Sequence, residues 1–116
     1  MSKPLLVVHT QPVSAEQEDA YNDWYNNEHL DDVVRLSGYR AAKRYVRSDV
    51  NAVEGVGPAQ HKYLAIYELD TDDVELAATN LKEAVAAGMP LSEALDGENM
   101  SVDFYLPIEG GERISD

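Results

Sequence analysis

Leu5-Leu6-Val7-Val8 is the first patterned segment of the chain, apolar at successive positions, continuing to His9 and Thr10 and stopped by Pro12. An apolar run without alternation marks a strand covered on both faces. Ser14, with Gln17 three residues on, makes a capping-box pattern. The spacing that follows predicts a helix from about Ala15 to Leu36, with Glu16, Glu18 and Asp19 in the first turn, where the helix dipole favours negative charge. Asp31 is a candidate cap for a second short segment, so a break near Leu30-Asp31 is one reading of this region, and Gly38 is the stop. Tyr39 to Arg47, rich in tyrosine and basic residues, predicts a second strand. Residues 48–60 form a loop with Gly55, Gly57 and Pro58, long for a hairpin connection, and read equally well as a lid or as a plain surface segment. His61 to Leu69 predicts a third strand, with His61, Tyr63, Ala65 and Tyr67 on one side and Lys62, Leu64, Ile66 and Glu68 on the other. Thr71 or Asp72 caps a second helix, from about Asp73 to Ala87, with Gly88 just past its end and Leu76, Leu81, Ala84 and Val85 as its buried side. An irregular connection around Pro90 and Gly97 leads to a fourth strand, Ser101 to Ile108. Residues 1–108 thus read as one domain and 109–116 as a polar tail.

The order βαββαβ has a standard solution: an α+β domain with a four-stranded antiparallel sheet, both helices on one face, and strand order 4-1-3-2. Strands one and three carry the apolar runs and belong in the middle. Arg40, Lys43, Arg44, Arg47 and Asp103 fall on the edge strands, where charge discourages aggregation. Two helices cover only one face, yet strand one is apolar on both and strand three sets Leu64 and Ile66 opposite Tyr63, Ala65 and Tyr67. The economical cover for the second face is a second copy of the chain, sheet against sheet. A tail or loop folded over it is the competing arrangement.

Composition narrows the function classes. The absence of cysteine excludes thiolate metal sites, iron–sulfur clusters and a thiol nucleophile. A formal net charge of −13 repels nucleic-acid phosphates and anionic lipid heads, so neither nucleic acid nor membrane is expected as a partner. The apolar start is too short for a signal core or a membrane span, and a cytoplasmic location is the expectation. No phosphate-binding loop, dinucleotide fingerprint or nucleophile elbow is present. Metal-ligand spacing is lacking among His9, Glu28, His29 and His61, so no metal and no other cofactor is expected.

Candidate chemistry concentrates on the first helix. Tyr21, Trp24 and Tyr25 share a face at helical spacing, Tyr25 and His29 are i,i+4 neighbours, and Asp32 lies three residues beyond His29. An imidazole between a phenol and a carboxylate is suited to general acid–base work. The same aromatics are equally suited to plain core packing. Five of the nine basic residues, Arg35, Arg40, Lys43, Arg44 and Arg47, fall in one short segment; they guard an edge strand and offset nearby acids, or hold a substrate carboxylate.

The run Tyr21-Asn22-Asp23-Trp24-Tyr25-Asn26-Asn27-Glu28-His29-Leu30, followed by Gly38-Tyr39 and Ala42-Lys43-Arg44-Tyr45, resembles the EthD-like branch of the dimeric α+β barrel superfamily, a ferredoxin-like fold. His61 to Glu68 is similar to that family's third strand. Ser37-Gly38 stands where relatives often have Pro-Gly, and Asp31 where a proline is common. The resemblance implies a homodimer with a cleft between sheet and helices in each subunit, holding a small apolar or aromatic ligand. Relatives include cofactor-independent isomerases, cyclases, lyases and monooxygenases on aromatic, polyketide or lactone-like molecules, some haem-using enzymes, and members without known activity, so the fold names no reaction. On this reading His29 and Tyr25 are the catalytic pair, and Trp24, Tyr21, Glu28, Tyr63, Tyr67, His61 and His9 are candidates to bind substrate. The alternative is a non-catalytic binding or accessory dimer. A one-residue change of register reverses every strand side chain, so both faces of the strands remain candidates for the cleft wall.

Overall fold

The computed structural model describes residues 3–115. Four strands, β1 (Leu5–Thr10), β2 (Tyr39–Val46), β3 (Tyr63–Leu69) and β4 (Ser101–Tyr105), form one antiparallel sheet in the order β2-β3-β1-β4, as the element order predicts. The helical elements are α1 (Glu18–Trp24), α2 (Leu30–Val34) and α3 (Val74–Ala86). Alternation along β1 buries Leu6, Val8 and Thr10 against the helices and leaves Leu5, Val7 and His9 half-buried on the other face. In β3 the buried set is Ala65, Tyr67 and Leu69, and the pairing Leu6↔Tyr67 and Val8↔Ala65 joins the two sets into one core face.

The first helix departs from expectation in three ways. A short 3-10 turn, Ala15–Gln17, precedes α1, and Ser14 makes no side-chain cap. No break occurs at Leu30-Asp31. Instead the chain widens into a π-helical turn, Tyr25–His29, and passes straight into α2. The stop at Gly38 holds: φ is +101°, a left-handed conformation that side chains rarely adopt, and a Cβ there would sit 3.5–3.7 Å from Thr71 and Ala77.

The second helix is capped by Asp73, not Thr71 or Asp72; its Oδ1 accepts from the Leu76 amide at 3.0 Å, and Thr71 Oγ1 accepts from the Asp73 amide. Its most buried residue is Ala77, with Leu81 and Ala84 half-buried, whereas Leu76 and Val85 are exposed. β3 begins at Tyr63 rather than His61, and β4 ends at Tyr105 rather than Ile108. The loop 48–60 is exposed throughout, as are residues 105–115.

β2 carries a bulge. Tyr39 pairs with Leu69 but Ala41 pairs with Glu68, so one extra residue sits between them. Tyr39 is buried; without the bulge, alternation would next turn Ala41, Lys43 and Tyr45 inward. The extra residue turns Ala42 and Arg44 inward instead, opposite Tyr67 and Ala65.

Candidate functional site

The π turn creates the centre of the site. In a regular α-helix residues five apart lie about 140° from one another around the axis. Here Trp24 and His29, five apart, stack with ring centroids 4.7 Å apart and planes inclined by 26°, while Tyr25 meets the same imidazole edge-on at 5.0 Å. The imidazole is thus gripped by both aromatics. Its Nδ1 is buried without a hydrogen-bond partner, and so is Trp24 Nε1. Burial lowers the His29 pKa, with the Asp32 charge opposing. Asp32 makes no hydrogen bond to the ring; its carboxylate lies 3.8 Å from Arg35. The stacked indole face favours a charged imidazole by about 1 kcal/mol, but a stranded Nδ1–H would cost about 1–3 kcal/mol, so the neutral ring wins.

Below this cluster, between the core face of the sheet and the helices, lies a cavity of about 350 Å³, within the size range of small-molecule sites. Leu6, Val8 and Val33 line its floor with Trp24, Tyr25, His29, Tyr67 and Thr10. Exposed Val85, Leu91, Met100 and Val102 form its rim, so an apolar mouth faces solvent. Tyr67 donates to the Tyr25 hydroxyl at 3.4 Å, and burial pushes the Tyr25 phenol up to about 12 and Tyr67 upward as well. A larger hollow of about 650 Å³ at one end of the sheet is bordered by Lys3, Arg40, Glu68 and Asp70. Three of these charges already pair, Arg40 with Glu68 and Lys3 with Asp72, which leaves that hollow less suited to a ligand than the apolar cavity.

Of the nine expected site residues, the cavity gathers four: Trp24, Tyr25, His29 and Tyr67. Tyr21 is fully buried behind the wall, its hydroxyl 2.5 Å from Thr10 Oγ1. The Tyr63 hydroxyl donates to Glu18 and accepts from Asn22 at 3.2 Å, away from the cavity. Lys62 and Tyr63 together hold the Glu18 carboxyl below its ordinary range. Glu28 is exposed in a separate acidic hollow, because the residue next to His29 cannot share its helix face. His9 lies on the uncovered sheet face, 5.8 Å from the His61 ring, whose Nε2 meets the Asn99 carbonyl at 3.0 Å. Neither histidine lines the cavity. Among the described residues no group of three or more His, Asp or Glu converges on a metal position.

Arg44 reads in the sequence as one of a basic group that guards an edge strand or holds a substrate carboxylate; in the structure it does neither and packs against the first helix. Its guanidinium carbon sits 4.3 Å from the Tyr25 ring centre, 5.2 Å from Tyr21 and 5.3 Å from Tyr63. Its two terminal nitrogens donate to Asn26 at 2.8 Å and Asn22 at 3.0 Å, one helical turn apart and on either side of Trp24-Tyr25. Arg44 thereby staples the helix to β2 where the π turn begins. Thr10 is the other residue sequence reasoning passed over; its alternation with Leu6 and Val8 was the available signal.

A sheet of order β2-β3-β1-β4 with its helices on one face is an α+β fold of the ferredoxin-like type. Within that type the chain is similar to an ethyl tert-butyl ether D (EthD) family protein from Bacillus halodurans C-125, with a TM-score of 0.61 and 16% identity over 93% of this chain and 100% of that one. It is also similar to a candidate monooxygenase from Shewanella loihica PV-4, with a TM-score of 0.51 and 20% identity over 93% of this chain and 97% of that one. At these identities the likeness is one of fold. No protein-family model and no curated protein matches the chain. Among the described residues no helix is long and apolar enough to cross a membrane.

Proposed function

We propose that this chain binds a small, largely apolar ring molecule in the cavity beneath the π turn and acts on it as a cofactor-independent enzyme of isomerase, cyclase, lyase or monooxygenase type. His29 is the proton-handling group, the Tyr25–Tyr67 pair orients an oxygen, and Trp24 walls the apolar side. The observation that carries this reading is the grip of Trp24 and Tyr25 on an imidazole that lines an otherwise apolar, ligand-sized cavity. Buried imidazoles beside open apolar space are common at working sites, where packing would otherwise favour a hydrocarbon. The monooxygenase description of the Shewanella protein fits this range of reactions.

The same reading includes a homodimer. Leu5, Val7, Leu64 and Ile66 stand half-buried on the uncovered face, flanked by exposed Tyr45 and Tyr105. The Cα extents are 43 × 43 × 23 Å, to which the exposed loop 48–60 and tail 105–115 contribute. A second copy against the open face would bury these side chains.

Screening polycyclic phenols, quinones and lactones tests the proposal, with turnover followed by mass detection and binding by fluorescence of the single tryptophan, Trp24. A hit should quench Trp24 saturably, and His29→Ala should lower turnover by about 10²–10⁴-fold. Val102→Phe, at the cavity mouth, should weaken binding. Full turnover in His29→Ala on a verified substrate, or binding untouched by Val102→Phe, would defeat the assignment.

A further inference from the structure

We infer that His29 meets its ligand as a neutral ring with the proton on Nε2, so that the cavity selects an uncharged molecule bearing one accepting oxygen, a ketone, quinone or lactone carbonyl, and rejects carboxylates. This rests on the cavity being the ligand site, as proposed above, and adds which way the imidazole faces the chemistry.

The assignment follows from what surrounds each ring nitrogen. Nδ1 is buried with no partner. A buried N–H without an acceptor costs more than a buried lone pair, since orphaned buried N–H groups are the rarer of the two in folded chains. The proton therefore belongs on Nε2, the nitrogen left to meet the cavity. Charging the ring would put a second proton on Nδ1, where nothing receives it.

No charge nearby changes this balance. On the helix itself the ring faces Trp24 and Tyr25, and the one carboxylate acting on it, Asp32, is shared with Arg35. β3 contributes the Tyr67 phenol, which donates to Tyr25. β1 contributes the Thr10 hydroxyl, engaged with Tyr21. From α3, β4 and the segment between them the lining is apolar side chains and Gly97. Arg44 lies against the Tyr25 ring and is not part of the lining.

What the lining has left to offer is donors: His29 Nε2–H and the Tyr25 hydroxyl hydrogen, the latter on a residue that grips the imidazole. Donors without a cation suit a neutral acceptor. A carboxylate would surrender its hydration and find no counter-charge. In this arrangement the proton that His29 handles is its own, on Nε2, shared with the carbonyl oxygen it polarises, rather than one drawn from the ligand.

Two measurements decide the matter. Nitrogen NMR of histidine-labelled protein at neutral pH reads the tautomer without any ligand. The expected pattern for His29 is Nε2–H; an Nδ1–H tautomer or an imidazolium would overturn the inference. Calorimetry with α-tetralone, tetralin and naphthoate then reads the selection. The ketone should bind about tenfold tighter than the hydrocarbon, the worth of one neutral hydrogen bond, and naphthoate at least about a hundredfold more weakly than the ketone. His29→Phe should erase the ketone's advantage over tetralin, and His29→Gln, whose amide N–H replaces Nε2–H, should restore part of it. Naphthoate binding as tightly as the ketone would refute the donor assignment while leaving the cavity a ligand site. Failure of all three to bind would remove the ligand site itself and the inference with it.

Discussion

Arg44→Met removes the staple between β2 and the helix while keeping most of the side chain's bulk. Two charge-assisted hydrogen bonds disappear, to Asn26 and Asn22. Such bonds contribute about 1.5–3 kcal/mol each when buried, and toward the low end here because Asn26 is exposed. The cation–π contacts with Tyr25, Tyr21 and Tyr63 add about 1 kcal/mol. Against this stands relief: Arg44 Nε is itself buried and unpaired, and removing that group returns about 1–2 kcal/mol. The net expectation is a loss of about 2 kcal/mol, or a fall in Tm of roughly 8 °C for a domain of this size. Arg44→Lys keeps the charge but cannot span both asparagines and should lose about half as much.

Urea unfolding followed by Trp24 fluorescence measures this directly. The loss should persist at high salt, since a guanidinium packed among rings is poorly screened. Native-state fluorescence should change in Arg44→Met as well, because the staple holds the turn on which indole and imidazole stack. A loss under about 0.5 kcal/mol, the level of ordinary surface substitutions, or equal behaviour of the Met and Lys variants, would show that Arg44 is only an edge charge.

Three further expectations concern pH and assembly. Burial pushes Tyr25 and Tyr39 up to about 12, and Tyr21 and Tyr67 upward too, whereas unfolded phenols titrate near 10; the stability they contribute is intact below about pH 10 and lost as pH rises through the folded values. Phenolate absorbance should therefore show these four tyrosines ionising together with unfolding, and their reversible ionisation in folded protein would contradict the burial. At the acid end, the lowered His29 pKa makes its contribution complete above about 6.5 and lost as pH falls toward the folded value, so His29→Gln should flatten the stability slope just below pH 6.5. For assembly, sedimentation should show a dimer that Ile66→Lys, in the middle of the uncovered face, converts to a folded monomer; a wild-type monomer at micromolar concentration would exclude the sheet-to-sheet pair.

The architecture was legible because its signals are periodic. The doubly apolar β1, the alternation of Tyr63 to Leu69 and the glycine at 38 specify strand order and helix stop with no knowledge of tertiary contacts, while leaving open which strand face meets the helices. The aromatic–histidine run was legible as a cluster for the same reason. Orientation was harder where elements end: His61 and His9 have the chemistry of a site, but strand-end positions and the wrong face of β1 keep them from the cavity. Val85 was read as core because helical spacing marks an apolar face without saying whether the space beneath it is filled; here it is the rim of a hollow.

The two features that spacing could not supply share one cause. Periodicity assumes a fixed repeat, and both elements flanking the site break theirs by a single residue. The π turn at Tyr25–His29 brings His29 onto Trp24, which a regular helix would hold far around the axis. The bulge after Tyr39 turns Arg44 inward, where regular alternation would place Lys43. Insertions of this kind cost ladder or helix hydrogen bonds, and they recur beside working sites because they re-aim side chains that regular geometry would misplace. Here the two are coupled: the bulged strand delivers the guanidinium that pins Asn22 and Asn26, and those asparagines straddle the start of the widened turn. Deleting the extra residue at position 40 should swing Arg44 to the open face, release the helix and separate the stacked rings. Such coupling holds the two irregular segments in one mutual arrangement, which a regular helix and a regular strand could not adopt.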